Sequence, residues 1–460
     1  MTRLLSRAWV ACAAAFVVAL VWHHMTMRGD SFWSLAGGDW ILSRGETRMG
    51  DPFSFASTDA PFVLTMPAFQ VGGAWLVARV GLRAFMLACA LATASGVLLL
   101  WWTSARSLGA RVVSFGLVLF DVELGAGDAS ARGQTFGDLA FSILLVFLFR
   151  LRRGARVPAW AFFVLGVAWA NVHPSFLLAI ALPLAFAAFE RLEPAEARAP
   201  AGPFLLASLA ATAGAFVTPQ PTDLAWDAVK LFFDPTTSHI DLFNSPDFRS
   251  ALWLLAPASA LALAALRAVR GDARGRGGDA ALLFAFVLAT CTARRYGTLL
   301  VGVEIAIAGP LLDRELPPLA AFWRVPLALV AASFVGLAVV FAHEPKDPFA
   351  LVPAGAVTAI KRIHAPDRVV SPYYWGGFLE WVWAGQRKVF VDGRNQYFEN
   401  GAFDDAHRLE QLAGWSDVLD AYEARTVLWL RHSPLDQALA ADPRWAIAYS
   451  DAMAVVYIRR

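Results

Sequence analysis

Asp30-Ser31-Phe32-Trp33-Ser34-Leu35, running on through Gly38-Asp39-Trp40-Ile41 to Asp51-Pro52-Phe53-Ser54-Phe55, decides how the rest of the chain is read. This acidic, aromatic stretch leaves the apolar run 8–21 almost at once, as a loop does on emerging from a bilayer. The first residues are basic (Arg3, Arg7) and resemble a secretion signal. However, Trp22-His23-His24-Met25 stands where small cleavage-site residues belong, so an uncleaved first span is expected.

Composition extends that reading to the whole chain. Of 460 residues, 58% are hydrophobic and 17% charged, with a mean hydropathy of +0.52, which places the protein with polytopic membrane proteins. A net charge of +2 without a basic stripe argues against nucleic acid as a partner. Cys12, Cys89 and Cys291 lie in apolar runs without metal-ligand spacing and read as small buried hydrophobes.

A helix needs about 20 apolar residues to cross a bilayer. On that basis about eleven spans are expected, near 8–25, 84–103, 111–126, 134–150, 157–171, 174–190, 203–218, 251–267, 280–293, 297–312 and 319–342. Arginines collect in alternate loops, which are cytoplasmic by the positive-inside rule. The N-terminus is then cytoplasmic, and the 26–83 loop, the 218–250 loop and everything past about 343 lie on the other side. Within these loops 71–82 and 224–232 read as interfacial amphipathic helices, and 270–278 as a flexible tether.

Past Pro345 the pattern turns to alternating strand and helix. Strands are expected at 368–371, 388–391, 426–430, 446–450 and 452–458, with helices at 377–384, 400–424 and 434–441. The expected fold is therefore an all-α membrane bundle over 1–342 and an extracytoplasmic α/β domain over 343–460, layered as a sandwich.

The residues able to do chemistry sit at outer helix ends. Asp30 can accept a proton from an attacking hydroxyl or anchor a divalent cation such as Mg or Mn. Asp39 and Asp51 are close in sequence, and Trp33, Trp40, Phe53 and Phe55 offer flat faces to sugar rings or lipid headgroups. An ordinary aromatic belt with solvated acids is the plainer alternative. Asp121, Glu123, Asp128, Arg132 and Gln134 cluster at the outer end of the third span. They face a polar cavity or are simply wet. His173, in Asn171-Val172-His173-Pro174, is a proton carrier, a phosphate donor or a turn residue. Arg294-Arg295 suit a phosphate, with Glu304 as an alternative internal partner. His239, Asp241 and Asp247 add polar groups in the 218–250 loop. Asp392-Gly393-Arg394 follows a strand, as a ligand contact or as a turn. No Ser-His-Asp set, phosphate-binding glycine loop, dinucleotide fingerprint or His-Glu-x-x-His helix is present.

In this order the segments resemble bacterial membrane proteins of the GT-C glycosyltransferase superfold, the class of the dolichyl-phosphate-mannose-protein mannosyltransferases. The resemblance rests on Asp30, Trp33, Leu35, Gly38, Trp40, Ile41 and 51–55. It continues at Arg132, Gln134, 169–173, 245–248, Arg294-Arg295, Trp375-Gly376-Gly377 and Asp392-Gly393-Arg394. It implies a polyprenyl-phosphate-linked sugar as donor, an extracytoplasmic site in the bacterial inner membrane, and inversion at the sugar carbon. The acceptor would be a glycan, lipid or protein. It makes Asp30 (with Asp39 beside it) the catalytic carboxylate. Trp33, Asp51, Arg132, Gln134, His173, Asp241, Arg294, Arg295, Asp392 and Arg394 would then contact substrate. Two departures stand out. Ser34 replaces the group's motif histidine, and Leu64-Thr65-Met66-Pro67 replaces an Asn-His-Glu-Trp segment. The alternative they leave is a catalytically silent binding or assembly subunit of an envelope-polysaccharide system.

Overall fold

The computed structural model describes residues 2–56, 62–233, 237–238, 240–270, 276–317, 323–394 and 401–460. Helix α1 (Thr2–His24) is followed by α2 (Gly29–Arg44), strands β1 (Arg48–Met49) and β2 (Phe62–Val63), and α3 (Pro67–Val80). The bundle continues with α4 (Leu82–Ser104), α5 (Leu108–Ala126), α6 (Gln134–Arg152), α7 (Ala159–Ala170), α8 (Leu177–Phe189) and α9 (Ala201–Ala215). After α10 (Pro221–Phe233) come α11 (Ala251–Arg270), α12 (Arg276–Thr292), α13 (Gly297–Glu315) and α14 (Arg324–His343).

Each of the eleven stretches expected to span contains a helix, although those at 157–171 and 203–218 are shorter than expected (Ala159–Ala170 and ending at Ala215), and seven helices are long and apolar enough to cross a bilayer. Helices α7, α9 and α12 are apolar but shorter, while α5 carries Arg111, Asp121 and Glu123. Such helices satisfy their backbone internally and can face lipid, so the chain is a multi-pass membrane protein. The expected tether at 270–278 lies largely outside the described residues, as does His239.

Two features fix the ends of the bundle. At the far end of α6, Arg152 bonds Glu190 (2.5 Å) and Asp279 (2.6 Å), and Arg267 also reaches Asp279 (2.8 Å). All four side chains are buried or nearly so, and the pairing offsets the cost of dehydrating them. At the other end, His23 meets Glu344, and Lys346 donates to the carbonyl of His23. The exit of α1 and the exit of α14 therefore lie on the same side.

That side carries the first loop and the C-terminal sheet. The expected interfacial helix at 71–82 is α3, which packs on α2 through Gln70, Gly73 and Ala74. The one expected at 224–232 is α10. The C-terminal part holds β3 (Val369–Val370), β4 (Thr426–Leu430), β5 (Trp445–Ser450) and β6 (Ala454–Arg459) in the order β3-β4-β6-β5, with β3 and β4 parallel and the other pairs antiparallel. Around the sheet lie α15 (Ala354–Arg362), α16 (Tyr373–Trp383), α17 (Ala402–Glu410), α18 (Trp415–Ala421) and α19 (Pro434–Ala441). The single helix expected over 400–424 is split between α17 and α18, because the chain turns through left-handed Gly414 (φ 67°).

The strand expected at 388–391 is reduced to bridges. Val389 pairs with Val369 on one side and with Ser54 on the other. Its N–H donates to the Phe53 carbonyl (2.7 Å), its own carbonyl accepts from Phe55 N–H (3.0 Å), and Ser54 Oγ donates to the Phe390 carbonyl (2.5 Å). The first loop thus adds an extended segment to the edge of the C-terminal sheet. This corrects the expected role of its aromatics. Phe53 is buried against Trp40, and Phe55 packs on Phe390 and Tyr422, so neither offers a face to a ligand. Helix α16 seals the same junction from the other side. A Cβ on Gly377 would overlap the Gly29 carbonyl, so the backbones of α16 and α2 touch.

Candidate active site

A cavity of about 1110 Å³ opens where the first loop, the bundle and the C-terminal sheet meet. It is at the upper end of the sizes that hold small ligands. Of the residues singled out from sequence, Asp30, Trp33, Arg132, Gln134, His173, Arg295 and Arg394 line it. Arg294 lines a smaller chamber of about 120 Å³ that shares Arg132, Gln134 and Arg295 with the main cavity.

Asp30 lies in the first turn of α2 and is brought to Arg132 by a backbone seam. Thr26 N–H donates to the Ala129 carbonyl (3.2 Å), Ala131 N–H donates to the Thr26 carbonyl (2.9 Å), and Thr26 Oγ1 donates to Ala129 as well (2.7 Å). Arg132 Nη1 then stands 3.3 Å from Asp30 Oδ2, while Trp33 Nε1 donates to Oδ1 at 3.3 Å. Both contacts are long and single, and 43% of the Asp30 side chain is exposed. A carboxylate held this way keeps lone pairs free for an incoming hydroxyl.

Positive charge surrounds it. Arg28 donates to the Gly127 carbonyl (2.7 Å) and lies 3.9 Å from Asp128. Arg294 Nη2 reaches both Asp128 oxygens (2.9 and 3.0 Å), and Arg295 lies over the Phe243 ring (4.1 Å) and bonds the Tyr296 hydroxyl (3.0 Å). The expected alternative partner of the arginine pair, Glu304, is elsewhere: both its oxygens accept from Ser259 Oγ (3.1 and 2.9 Å). Arg132 and Arg295 share one wall beside apolar Leu177, Leu178, Phe286 and Leu299, a surface suited to an anion with a hydrocarbon tail.

His173 is oriented by what its Nδ1 accepts. Ser175 N–H can only donate, at 3.2 Å, and Ser175 Oγ, itself bonded by Trp169 Nε1 (3.0 Å), lies 2.7 Å away. The proton is therefore on Nε2. Burial, with Arg132 and Arg295 nearby, pushes this imidazole down to about 3. The residue is a neutral hydrogen-bond donor at the cavity wall, and not a proton carrier near neutrality.

Several expectations fail on geometry. Asp39 is about two and a half turns further along α2, on the opposite face, exposed beside Trp381 and away from the cavity. Neighbouring groups take enough water from its carboxyl, although the residue stays exposed, to raise it above the usual range, partly offset by a bond from Trp381. Asp241 is exposed, and its neighbours Ile240, Leu242 and Phe243 line the wall in its place. Asp51 and Asp392 do not line the cavity either. They are buried around Arg394, whose Nη2 is 2.5 Å from Asp392, Nη1 3.3 Å from Asp51 and Nη2 3.9 Å from Glu380. Three carboxylates around one guanidinium form a clamp between the first loop and the C-terminal sheet, with Arg394 itself reaching the cavity edge.

Asp138 was missed. It lines both cavities one turn into α6, and the available signal was an acid inside an otherwise apolar span. Asp223, Trp226, Asp227 and Lys230 of α10 also line the cavity, with Arg48 pairing Asp223 at 3.4 Å. Among the described residues no group of three or more His, Cys, Asp or Glu side chains could hold a metal. Asp30 offers one half-exposed carboxylate already contacted by Arg132 and Trp33, a donor set that does not fit a cation chelated by protein alone.

No known family's sequence model matches the chain, and no curated protein matches it. Solved structures do. ArnT from Cupriavidus metallidurans bound to undecaprenyl phosphate superposes with a TM-score of 0.52 at 14% identity, over 98% of this chain and 97% of that one. The same protein in the apo state gives 0.55 at 14% identity, over 98% and 96%. The Archaeoglobus fulgidus oligosaccharyltransferase in the apo form gives 0.51 at 12% identity, over 92% of this chain and 69% of that one. Both of these proteins are GT-C glycosyltransferases, and at such identities it is the architecture that is shared: the chain is built on the GT-C glycosyltransferase fold.

Proposed function

We propose that the protein transfers a sugar from a polyprenyl-phosphate carrier to an acceptor hydroxyl on the extracytoplasmic side of the bacterial inner membrane. The observation that carries the reading is the placement of half-exposed Asp30 and the arginines Arg132 and Arg295 in one cavity with an apolar flank. The undecaprenyl phosphate in the matching ArnT structure supports an isoprenoid phosphate as ligand class. All eleven apolar helices cross in this proposal. The odd number and a cytoplasmic N-terminus put the 343–460 domain outside.

Asp30 takes the proton of the acceptor hydroxyl, and that oxygen attacks the anomeric carbon as the carbon–phosphate oxygen bond breaks. Configuration inverts, and the electron pair stays with the lipid phosphate, stabilised by Arg295, Arg132 and, through the adjoining chamber, Arg294. The phosphate draws Arg132 from Asp30 on entering, which frees the base. Trp33, Gln134 and the His173 Nε2–H orient the sugar. The cavity lining supplied by α10 receives the acceptor, a glycan, lipid or protein.

Replacement of Asp30 by Asn tests this in purified protein reconstituted with undecaprenyl-phosphate-linked hexoses. Release of the lipid phosphate should stop, while folding and insertion persist. Turnover retained in Asp30→Asn would end the proposal. One observation favours the silent-subunit alternative: Leu64-Thr65-Met66-Pro67 brings Thr65 and Met66 to the cavity wall, where no acid or imidazole results. An unchanged envelope-glycan phenotype in Asp30→Asn cells would support it.

A further inference from the structure

We propose that Gly393 is a positioning residue for Asp30, so that the C-terminal segment sets where the carboxylate points. The inference rests on the reading of Asp30 as the base. A Cβ on Gly393 would stand 2.8 Å from Asp30 Oδ1, inside the normal approach of a real side chain, and in ordinary contact with Trp33 Nε1 at 3.8 Å, so the carboxylate end of Asp30 is the group that would have to move. The absence of a side chain at this position is therefore what lets the carboxylate occupy its place against Trp33.

Position 393 has no room to retreat. Its neighbour Asp392 accepts from Arg394 N–H (2.9 Å), Nε (2.8 Å) and Nη2 (2.5 Å), and the Asp392, Arg394, Asp51 and Glu380 side chains are at most 2% exposed. Upstream, Val389 and Phe390 are bonded to the first loop. The residue before Asp30, Gly29, is itself in backbone contact with Gly377. The C-terminal segment thus holds Asp30 from two sides, by the helix that carries it and by the atom it presents. Gly393 lacks the left-handed φ that would strain an alanine, so Gly393→Ala changes the contact and little else.

The test uses the full chain in lipid nanodiscs, labelled with 5-fluorotryptophan, with the Trp33 resonance assigned by Trp33→Phe. Gly393→Ala should move the Trp33 fluorine resonance as far as Asp30→Asn does. It should also lower kcat at least tenfold on undecaprenyl-phosphate hexoses with KM within twofold. Gly72→Ala, where an added Cβ meets nothing within 4 Å, should do neither. Arg394→Lys keeps the charge but loses the fork, and should shift the same resonance by a smaller amount. A Trp33 resonance unmoved in either Gly393→Ala or Arg394→Lys overturns the inference. If Asp30→Asn retains turnover while Gly393→Ala still moves the resonance, the contact stands and the base assignment falls.

Discussion

Arg132 and Arg394 each meet an aspartate from a distant part of the chain, Asp30 and Asp51, yet their surroundings are opposite. Arg132 makes one 3.3 Å contact to an acid that is 43% exposed. Arg394 is enclosed by Asp51, Glu380 and Asp392, at 2.5 to 3.9 Å, with all four side chains at most 2% exposed. A wet, single contact costs little to break and can be traded for a substrate. A dry, multiple one is expensive to open, since an ion left without its partner in the interior is heavily penalised. The same residue types therefore form an open, easily broken contact in one place and a fastener in the other.

That contrast breaks if Asp30→Asn is harmless. General-base loss is expected to cost about 10²- to 10⁴-fold in turnover, measured as lipid-phosphate release, with the melting temperature unchanged. Arg394→Ala should do the reverse in kind. It should destabilise the protein by about 3–5 kcal/mol, read as a drop in thermal midpoint in detergent, with turnover lost only because the fold loosens. Arg132→Ala sharpens the comparison: stability should change by less than about 1 kcal/mol while turnover falls by about 10²-fold.

The two regions should also titrate in opposite senses. Burial, partly countered by Arg394, holds the Glu380 carboxyl well above its usual range. The native state then binds a proton that the unfolded chain has released. The associated stability is full below the unfolded pKa of 4.5 and is lost as pH rises through the raised value. Glu380→Gln should flatten the fall in thermal midpoint as pH rises above 4.5. His173 runs the other way. With its imidazole pushed down to about 3 from 6.5, stability is full above 6.5 and is lost as pH falls between those values. His173→Asn should remove that acid-side slope. The smallest effects belong to Asp39→Asn and Asp241→Asn, each expected to leave turnover within about twofold, as surface changes away from special features do.

The helical bundle was legible because apolar runs of spanning length leave few alternatives: each expected span contains a helix, seven of them long and apolar enough to cross a bilayer. Asp30, Arg132, His173 and Arg295 stand out in the sequence because charged and imidazole groups at helix ends contrast with such runs, and the fold brings the four to one cavity. Asp51, Asp392 and the loop aromatics were misread for the same reason, since a polar or aromatic residue in a loop looks equally like a ligand contact and a seam. Only the pairing of Ser54 with Val389, hundreds of residues away, decides between them. Asp39 failed on helical phase, and Asp138 was overlooked because a lone acid in a span carries no pattern of its own.

The bridge between Phe53–Phe55 and Val389 has a consequence for biogenesis. The ribosome releases the first loop early but supplies its partner strand only after the last membrane helix has been inserted. Until then the loop edge is unpaired and Asp30 lacks Gly393 beside it. Translation arrested before that point would leave an inserted bundle whose cavity lacks its C-terminal wall, so the cavity is completed only at the end of synthesis.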